Sequence, residues 1–166
     1  VSRDRVAVPR GTAVTLNGIA QGYITDKVVD LLRARGITQT LVDMGESRAI
    51  GTRPDGQPWA IGIADPDNPG RTQTVLSVQD RAVSTSGGYG FRFDPQGRFN
   101  HLFDPTSGGC GHLYRSVTTV AATATAADAM STAFSLMPVA RISSLMRPAG
   151  IERVHLIDAA GLVSNL

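Results

Sequence analysis

Cysteine, lysine and aromatic residues are scarce in this chain of 166 residues, and each scarcity closes off a class of protein. The one cysteine, Cys110, cannot form an internal disulfide, so no disulfide framework is available to hold the fold. It stands in a Gly-rich loop, where it reads either as a redox thiol or, more simply, as a small loop residue. Aromatics make up 5% of the chain, too few for the stacking platforms that grip single-stranded nucleic acid. Lys27 is the one lysine; the remaining positive charge is arginine spread along the chain, with a formal net charge of +2 and a pI of about 9.1. A spread excess makes no basic stripe, and no nucleic acid is expected as a partner. No run is long and apolar enough to span a membrane, no segment is of low complexity and no internal repeat is visible. No signal peptide is visible either, but the chain starts at Val1 rather than Met and is read as a processed product or fragment.

What remains is the composition of an ordinary soluble domain, 42% hydrophobic and 18% charged, with 18 Gly and 9 Pro that imply many tight turns. The length suits one domain, 1–166, with a proper core. Short strands are expected at Arg5–Val8 and Thr12–Leu16 around a Pro9-Arg10-Gly11 turn, followed by Asn17 as a helix N-cap. From about Ile19 to Arg35 the pattern is helical, with Ile24, Val28, Leu31 and Leu32 as the apolar stripe and Gly36 as the stop. Strands are expected at Gln39–Asp43, Ser47–Gly51, Trp59–Ala64, Thr72–Val78 and Arg81–Ser84, with Arg53–Gly56 a turn and Asp65–Pro69 a polar loop. Tyr89–Phe93 and Arg98–Phe103 form a hairpin around Asp94-Pro95-Gln96-Gly97. Pro105–His112 is an irregular loop, Ser116–Ala122 a strand, and Ala121–Met137 an Ala-rich helix broken at Pro138 before a second helix to Met146. Arg153–Ile157 and Leu162–Ser164 close the chain as a hairpin. Hairpins interleaved with helices predict an α+β fold with an antiparallel sheet packed with helices, not a doubly wound parallel one.

Four stretches could carry chemistry, each with a plainer alternative. Asp128 and Thr132 lie four apart, so a carboxylate and a hydroxyl project from one helix face, a pair suited to a hard cation; a capping or hydrogen-bonded core acid would look the same. In Leu16–Asp26, Gly18 and Gly22 bracket a turn into a helix start, which is either an anion site or a closely packed helix. The loop Ser84–Tyr89 (STSGGY) could cradle a phosphate through its N–H groups or be an ordinary turn. In His101–Gly108 (HLFDPTSG), His101 and Asp104 could pair as a general base and its orienting carboxylate, or Asp104 could simply make an Asp-Pro turn. Trp59–Pro66 reads as a core strand without chemistry.

The order LNGIAQGY, LVDMGE, WAIGIADP, AVSTSGGY, HLFDPTSG and SVTTVAATATAADAMSTA resembles the ApbE family, FAD:protein FMN transferases, over nearly the whole chain. The resemblance implies an ApbE-type, T-fold-like domain, read as the C-terminal portion of a longer member. It implies FAD as substrate, Mg²⁺ as metal, and an acceptor protein whose Thr or Ser receives FMN while AMP leaves, the acceptor being in some relatives a membrane redox subunit. A FAD pyrophosphatase releasing FMN and AMP, or a non-catalytic flavin-binding domain, would share the same motifs. Carried over by motif, Asp128, Thr132 and the Gly18 carbonyl would hold the metal, with Ser131 a weaker oxygen ligand. His101 would deprotonate the acceptor hydroxyl and Asp104 would orient the loop or the imidazole. Flavin contacts would come from Thr15, Asn17, Gln21, Ser86, Gly87, Tyr89 and Leu102. Thr15 and Gln21 stand where the family commonly has an acid and a lysine, the usual Gly-Gly after the LVDM strand is Gly45-Glu46, and Pro138 replaces a Gly. Relatives of this kind are commonly exported, so the full-length protein is expected in the periplasm or as a membrane-anchored lipoprotein.

Overall fold

The computed structural model describes residues 4–68, 70–94, 96 and 98–166. Pro69 of the expected polar loop, and Pro95 and Gly97 of the expected turn, lie outside the described residues, as does Val1. In chain order the elements are α1 (Ala20–Ala34), β1 (Thr40–Asp43), β2 (Ser47–Ile50), β3 (Trp59–Ala64), β4 (Thr72–Val78), β5 (Ala82–Ser86), β6 (Tyr114–Ala121), α2 (Ala124–Phe134), α3 (Val139–Leu145), β7 (Ile151–Asp158) and β8 (Val163–Asn165). Six strands form one sheet in the order β1-β2-β5-β6-β7-β8, antiparallel at every pairing, while β3 and β4 pair apart as a hairpin.

Alternation along the central strands gives the sheet two covered faces. Ala82, Val117 and Ala121 point to one, where they pack with Ala124, Ala127 and Phe134 of α2, Ile142 of α3 and Ile151, Val154 and Leu156 of β7. Val83 and Val120 point to the other and meet Ala49 with Ile61, Ile63 and Val78 of the β3–β4 hairpin. The many alanines of α2 thus have a packing reason: small side chains let the helix lie close on β5 and β6, and Ala124 and Ala127 are fully buried. Thr123 caps α2, its hydroxyl accepting from the Ala126 N–H at 3.2 Å. Pro138 is the N-cap residue of α3, where its missing N–H costs nothing.

The N-terminal expectations need correction. Arg5–Val8 and Thr12–Leu16 are not strands; beyond a single bridge at Arg5 the backbone is irregular, and residues 4–17 are exposed. The turn between them is present, with Thr12 N–H donating to Pro9 C=O at 3.1 Å and Gly11 at φ +84°. Asn17 does not cap α1; Ile19 holds the N-cap position without a side-chain bond, and the Asn17 N–H goes to Thr15 Oγ1 at 3.2 Å.

The expected stripe of α1 is also turned. Ile24 and Leu31 are exposed, Val28 and Leu32 half-buried, and the buried residues are Gly22, Thr25, Asp26 and Val29. The helix is held by small and polar groups because the surface it meets is the polar first turn of α2. The Asp26 carboxylate accepts from the Ala124 and Thr125 N–H groups at 2.8 and 2.9 Å and from the Thr125 hydroxyl, and pairs with buried Arg48 of β2. It therefore supplies the acid that the N-terminus of α2 lacks. Burial pushes the Asp26 carboxyl up, but the Thr125 and Ala124 bonds and the Arg48 guanidinium together hold it below the ordinary carboxylate value.

The hairpin expected over Tyr89–Phe103 survives only as an isolated bridge, Arg92 to Asn100, with Phe93 N–H donating to Phe99 C=O at 2.9 Å. Side chains take the backbone bonds that strands would use. Asp94 accepts from the Phe99 N–H at 2.8 Å, and Asn100 from the Leu102 N–H at 2.9 Å.

Candidate active site

A cavity of about 570 Å³ opens where the start of α1, the end of β5, the His101–Phe103 segment and α2 converge. Its wall includes Thr15, Asn17, Gly18, Gln21, Ser86, Gly87, Tyr89, His101, Leu102, Asp128 and Thr132. Of the residues expected in a site, Asp104 and the weaker candidate Ser131 lie outside the wall. Tyr89 separates this cavity from a shallower groove of about 360 Å³ bearing Asp67, Arg92, His112 and Arg115, which holds no other expected site residue.

Asp128 and Thr132 stand one turn apart on the face of α2 that meets α1. Asp128 is buried, and its Oδ2 accepts the Gly22 N–H at 2.8 Å. That N–H belongs to the first turn of α1 and has no partner within its own helix. The approach requires glycine, because a Cβ on Gly22 would lie 2.3 Å from Ala124 O and 2.7 Å from Asp128 Cβ. One turn earlier, a Cβ on Gly18 would lie 3.1 Å from Thr132 Cγ2, so the backbone before α1 rests against Thr132. Burial raises the Asp128 carboxyl above its ordinary value, the Gly22 bond opposing it.

Behind Asp128 and Thr132 runs a chain of hydroxyls. Ser131 Oγ lies 3.0 Å from Ser84 Oγ and 2.7 Å from Ser86 Oγ, and Ser86 Oγ lies 3.1 Å from Thr132 Oγ1. Ser131 also donates to Asp128 C=O at 3.0 Å, so it is a buried brace between α2 and β5. The residue that sequence reasoning missed is Glu46, at the bend between β1 and β2. It lines the cavity, is 6% exposed, and its Oε2 is buried without a hydrogen-bond partner. Burial raises its carboxyl from 4.5 to about 7; a bond from Ser84 pulls it down, and the Asp128 and Asp43 charges push it up. The signal available in the sequence was that Glu46 is one of only two glutamates, placed where the motif ordinarily shows glycine. Phe93 and Phe103, stacked at 5.8 Å between ring centres, also line the cavity and were not expected there.

Apart from the Gly22 N–H on Asp128, the side chains that line the cavity around Asp128 and Thr132 offer oxygen: the Asp128 and Glu46 carboxylates and the Thr132 and Ser86 hydroxyls. That set fits a hard cation of the Mg²⁺ kind. Among the described residues there is no cluster of three or more His, Cys, Asp or Glu, so a cation here would lean on hydroxyl and backbone oxygens as well.

His101 sits at the rim, exposed, with Nδ1 3.3 Å from Phe91 C=O. A carbonyl can only accept, so Nδ1 is the donor in that contact, which in a neutral ring makes Nε2 the nitrogen with the lone pair. Asp104 does not pair with it. Its Oδ1 accepts from the Thr106 N–H at 2.9 Å and its Oδ2 from the Ser107 hydroxyl at 2.7 Å, while the Gly108 N–H donates to Asp104 C=O. Those two bonds, the Thr106 N–H first, hold its carboxyl below the ordinary value. Of the two roles expected for Asp104, the geometry therefore fits the shaping of the loop and not the orienting of the imidazole.

The FAD:protein FMN transferase of Treponema pallidum is 34% identical to this chain, over 94% of the chain and 48% of that protein. The crystal structure of the ApbE protein from Thermotoga maritima matches with a TM-score of 0.84 and 31% identity, covering 93% of this chain and 52% of that one. The apo crystal structure of the Pseudomonas stutzeri flavinyl transferase ApbE matches at 0.72 and 34% identity, covering 90% and 48%. The chain spans about half the length of the relatives it matches. Residues 2–155 match the family as a whole, and with the α+β architecture shared across these structures, this chain belongs to the ApbE family.

Proposed function

We propose that the protein is a metal-dependent FAD:protein FMN transferase whose ligating and proton-transfer groups lie in this chain. The observation that carries the reading is convergence. Asp128, Thr132 and the Gly18 backbone meet from two helices, and His101 with a free Nε2 stands on the same cavity. Relatives that bear the transferase name over nearly the full length of this chain support it.

A Mg²⁺ held by Asp128, Thr132 and the Gly18 carbonyl would neutralise charge on the pyrophosphate oxygens as the phosphorus is attacked. His101 Nε2 takes the proton from the acceptor Thr or Ser hydroxyl. The hydroxyl oxygen bonds to the FMN phosphorus, the bond to the bridging oxygen breaks, and AMP leaves with the electron pair. Ser86 and Ser131 brace Thr132 and α2 so that the ligating oxygens keep their spacing. Tyr89, whose phenol is raised above its ordinary value by burial, keeps its proton and stays a hydrogen-bond donor on the wall.

The test is to incubate the full-length protein with FAD, Mg²⁺ and an acceptor protein and weigh the acceptor by mass spectrometry. An FMN adduct made by wild type and absent with Asp128→Ala is expected. An Asp128→Ala protein that makes as much adduct as wild type refutes the metal assignment. The exposure of His101 favours one further reading, FAD pyrophosphatase, because water can reach the same nitrogen; free FMN and AMP without any acceptor would mark it.

A further inference from the structure

Glu46 is a buried acid that the transferase reading does not use. It is 6% exposed, Oε2 has no hydrogen-bond partner, and among the described residues no ion pair reaches it. Arg48, two residues on and within β2, pairs through its Nη1 with Asp26, and although its Nε is buried without a hydrogen-bond partner, no ion pair joins it to Glu46. A carboxylate left in the interior without a cationic partner is destabilising in itself, so its place must be explained by something that fills the cavity.

The backbone aims it there. Gly45 takes φ +97°, a conformation that side chains rarely adopt, and a Cβ at Gly45 would lie 2.4 Å from the Gln21 Nε2. The bend therefore passes beneath the Gln21 amide and turns Glu46 into the cavity that Asp128 enters from α2. Two carboxylates, one from the β1–β2 bend and one from α2, line a single cavity, and the contact of Ser84 with Ser131 ties β5 to α2 beside it.

We propose that Glu46 is a positioning residue of the cation site, accepting a hydrogen bond from a water on the cation that Asp128 and Thr132 hold. The assignment rests on the cation reading above. Mg²⁺ keeps several waters when protein ligands are few, and outer carboxylates orient those waters and add to the charge that retains the ion. Glu46 supplies the second negative charge that Asp128 alone lacks.

The experiment compares wild type, Glu46→Gln and Asp128→Asn by Mn²⁺ titration, reading free Mn²⁺ by electron paramagnetic resonance, and by thermal melting in EDTA and in Mg²⁺. Glu46→Gln is expected to bind Mn²⁺ about tenfold more weakly, to melt in EDTA at or above the wild-type temperature, and to gain less from Mg²⁺. A structural acid would give the reverse. A Glu46→Gln protein with unchanged Mn²⁺ affinity while Asp128→Asn loses it overturns the Glu46 assignment alone. A Glu46→Gln protein that melts below wild type in EDTA, or does not fold, assigns Glu46 to the framework and also overturns it. A wild type that binds no Mn²⁺ overturns the cation reading, and Glu46 with it.

Discussion

Replacing Gly22 with alanine sets two physical effects against each other, and the sign of the result decides between them. Alanine favours a helix over glycine by about 1 kcal/mol, so propensity alone makes Gly22→Ala stabilising. The structure demands the opposite. The new Cβ would lie 2.3 Å from Ala124 O and 2.7 Å from both Ala124 C and Asp128 Cβ. Two of those atoms are backbone at the first turn of α2 and cannot swing aside, so α1 must retreat by roughly 1 Å to restore ordinary contact. Such a retreat stretches the 2.8 Å bond between Gly22 N–H and Asp128 past useful length. Overpacking of this kind costs about 1–3 kcal/mol, and a lost hydrogen bond to a charged group about 1.5–3 kcal/mol. After the propensity gain the net expectation is a loss of about 1.5–5 kcal/mol. Urea denaturation would show it as a lower midpoint with an unchanged slope. Mn²⁺ affinity should fall as well, because Gly18 moves away from Thr132 with the helix. Gly36→Ala serves as the control. At φ +82° with open space around it, it costs backbone strain only and leaves Mn²⁺ affinity alone. A Gly22→Ala protein as stable as wild type would show that the two helices do not pack as described.

Asp26→Ala removes the partner of buried Arg48 and the acceptor at the start of α2, and should cost about 3–5 kcal/mol in the same assay. Stability in EDTA should depend on Glu46. Its carboxyl titrates near 4.5 when unfolded and about 7 when folded, so between those values the native state binds the extra proton and stability falls as pH rises. The full gap corresponds to about 3 kcal/mol, and Glu46→Gln should flatten the profile between pH 5 and 7.5. His101→Ala should lower adduct formation by roughly 10²–10⁴-fold with melting unchanged, as expected of a proton acceptor at an exposed rim. Asp104→Ala should instead loosen the Pro105–His112 loop, seen as faster proteolysis there, with a smaller effect on rate.

The sequence displayed the parts of this site in motif order, and the geometry joins nearly all of them in one cavity. The strands β1 to β4 were legible because alternation and turn residues agree, Trp59–Ala64 and Thr72–Val78 matching residue for residue, while those expected over Tyr89–Phe93 and Arg98–Phe103 came to no more than isolated bridges. The face of α1 was not legible. A stripe of Ile24, Leu31 and Leu32 is the larger apolar signal, but the partner surface is the polar start of α2, and only that tertiary fact selects Gly22, Thr25 and Asp26 for burial. Glu46 was hidden for a related reason, since nothing local distinguishes a glutamate turned inward at a bend from one in solvent. His101 and Asp104 looked like a pair because three residues separate them. The loop's own N–H and hydroxyl groups claim the carboxylate first, and local bonds of that kind form ahead of longer ones.

The polar docking of α1 has a consequence for motion. A helix tied in by a carboxylate at each of two points, with only Val29 buried among its apolar side chains, opens at lower free energy than strands such as β6 that are covered on both faces. Its backbone amides should exchange with solvent deuterium well before those of β6. Of the groups proposed to hold a cation, Gly18 lies just before this loosely held helix and Thr132 on α2, so a ligand that bridged them would also close the seam. Part of the free energy of ligation is then consumed in fastening α1, and the order of that helix becomes a direct report on whether the site is filled.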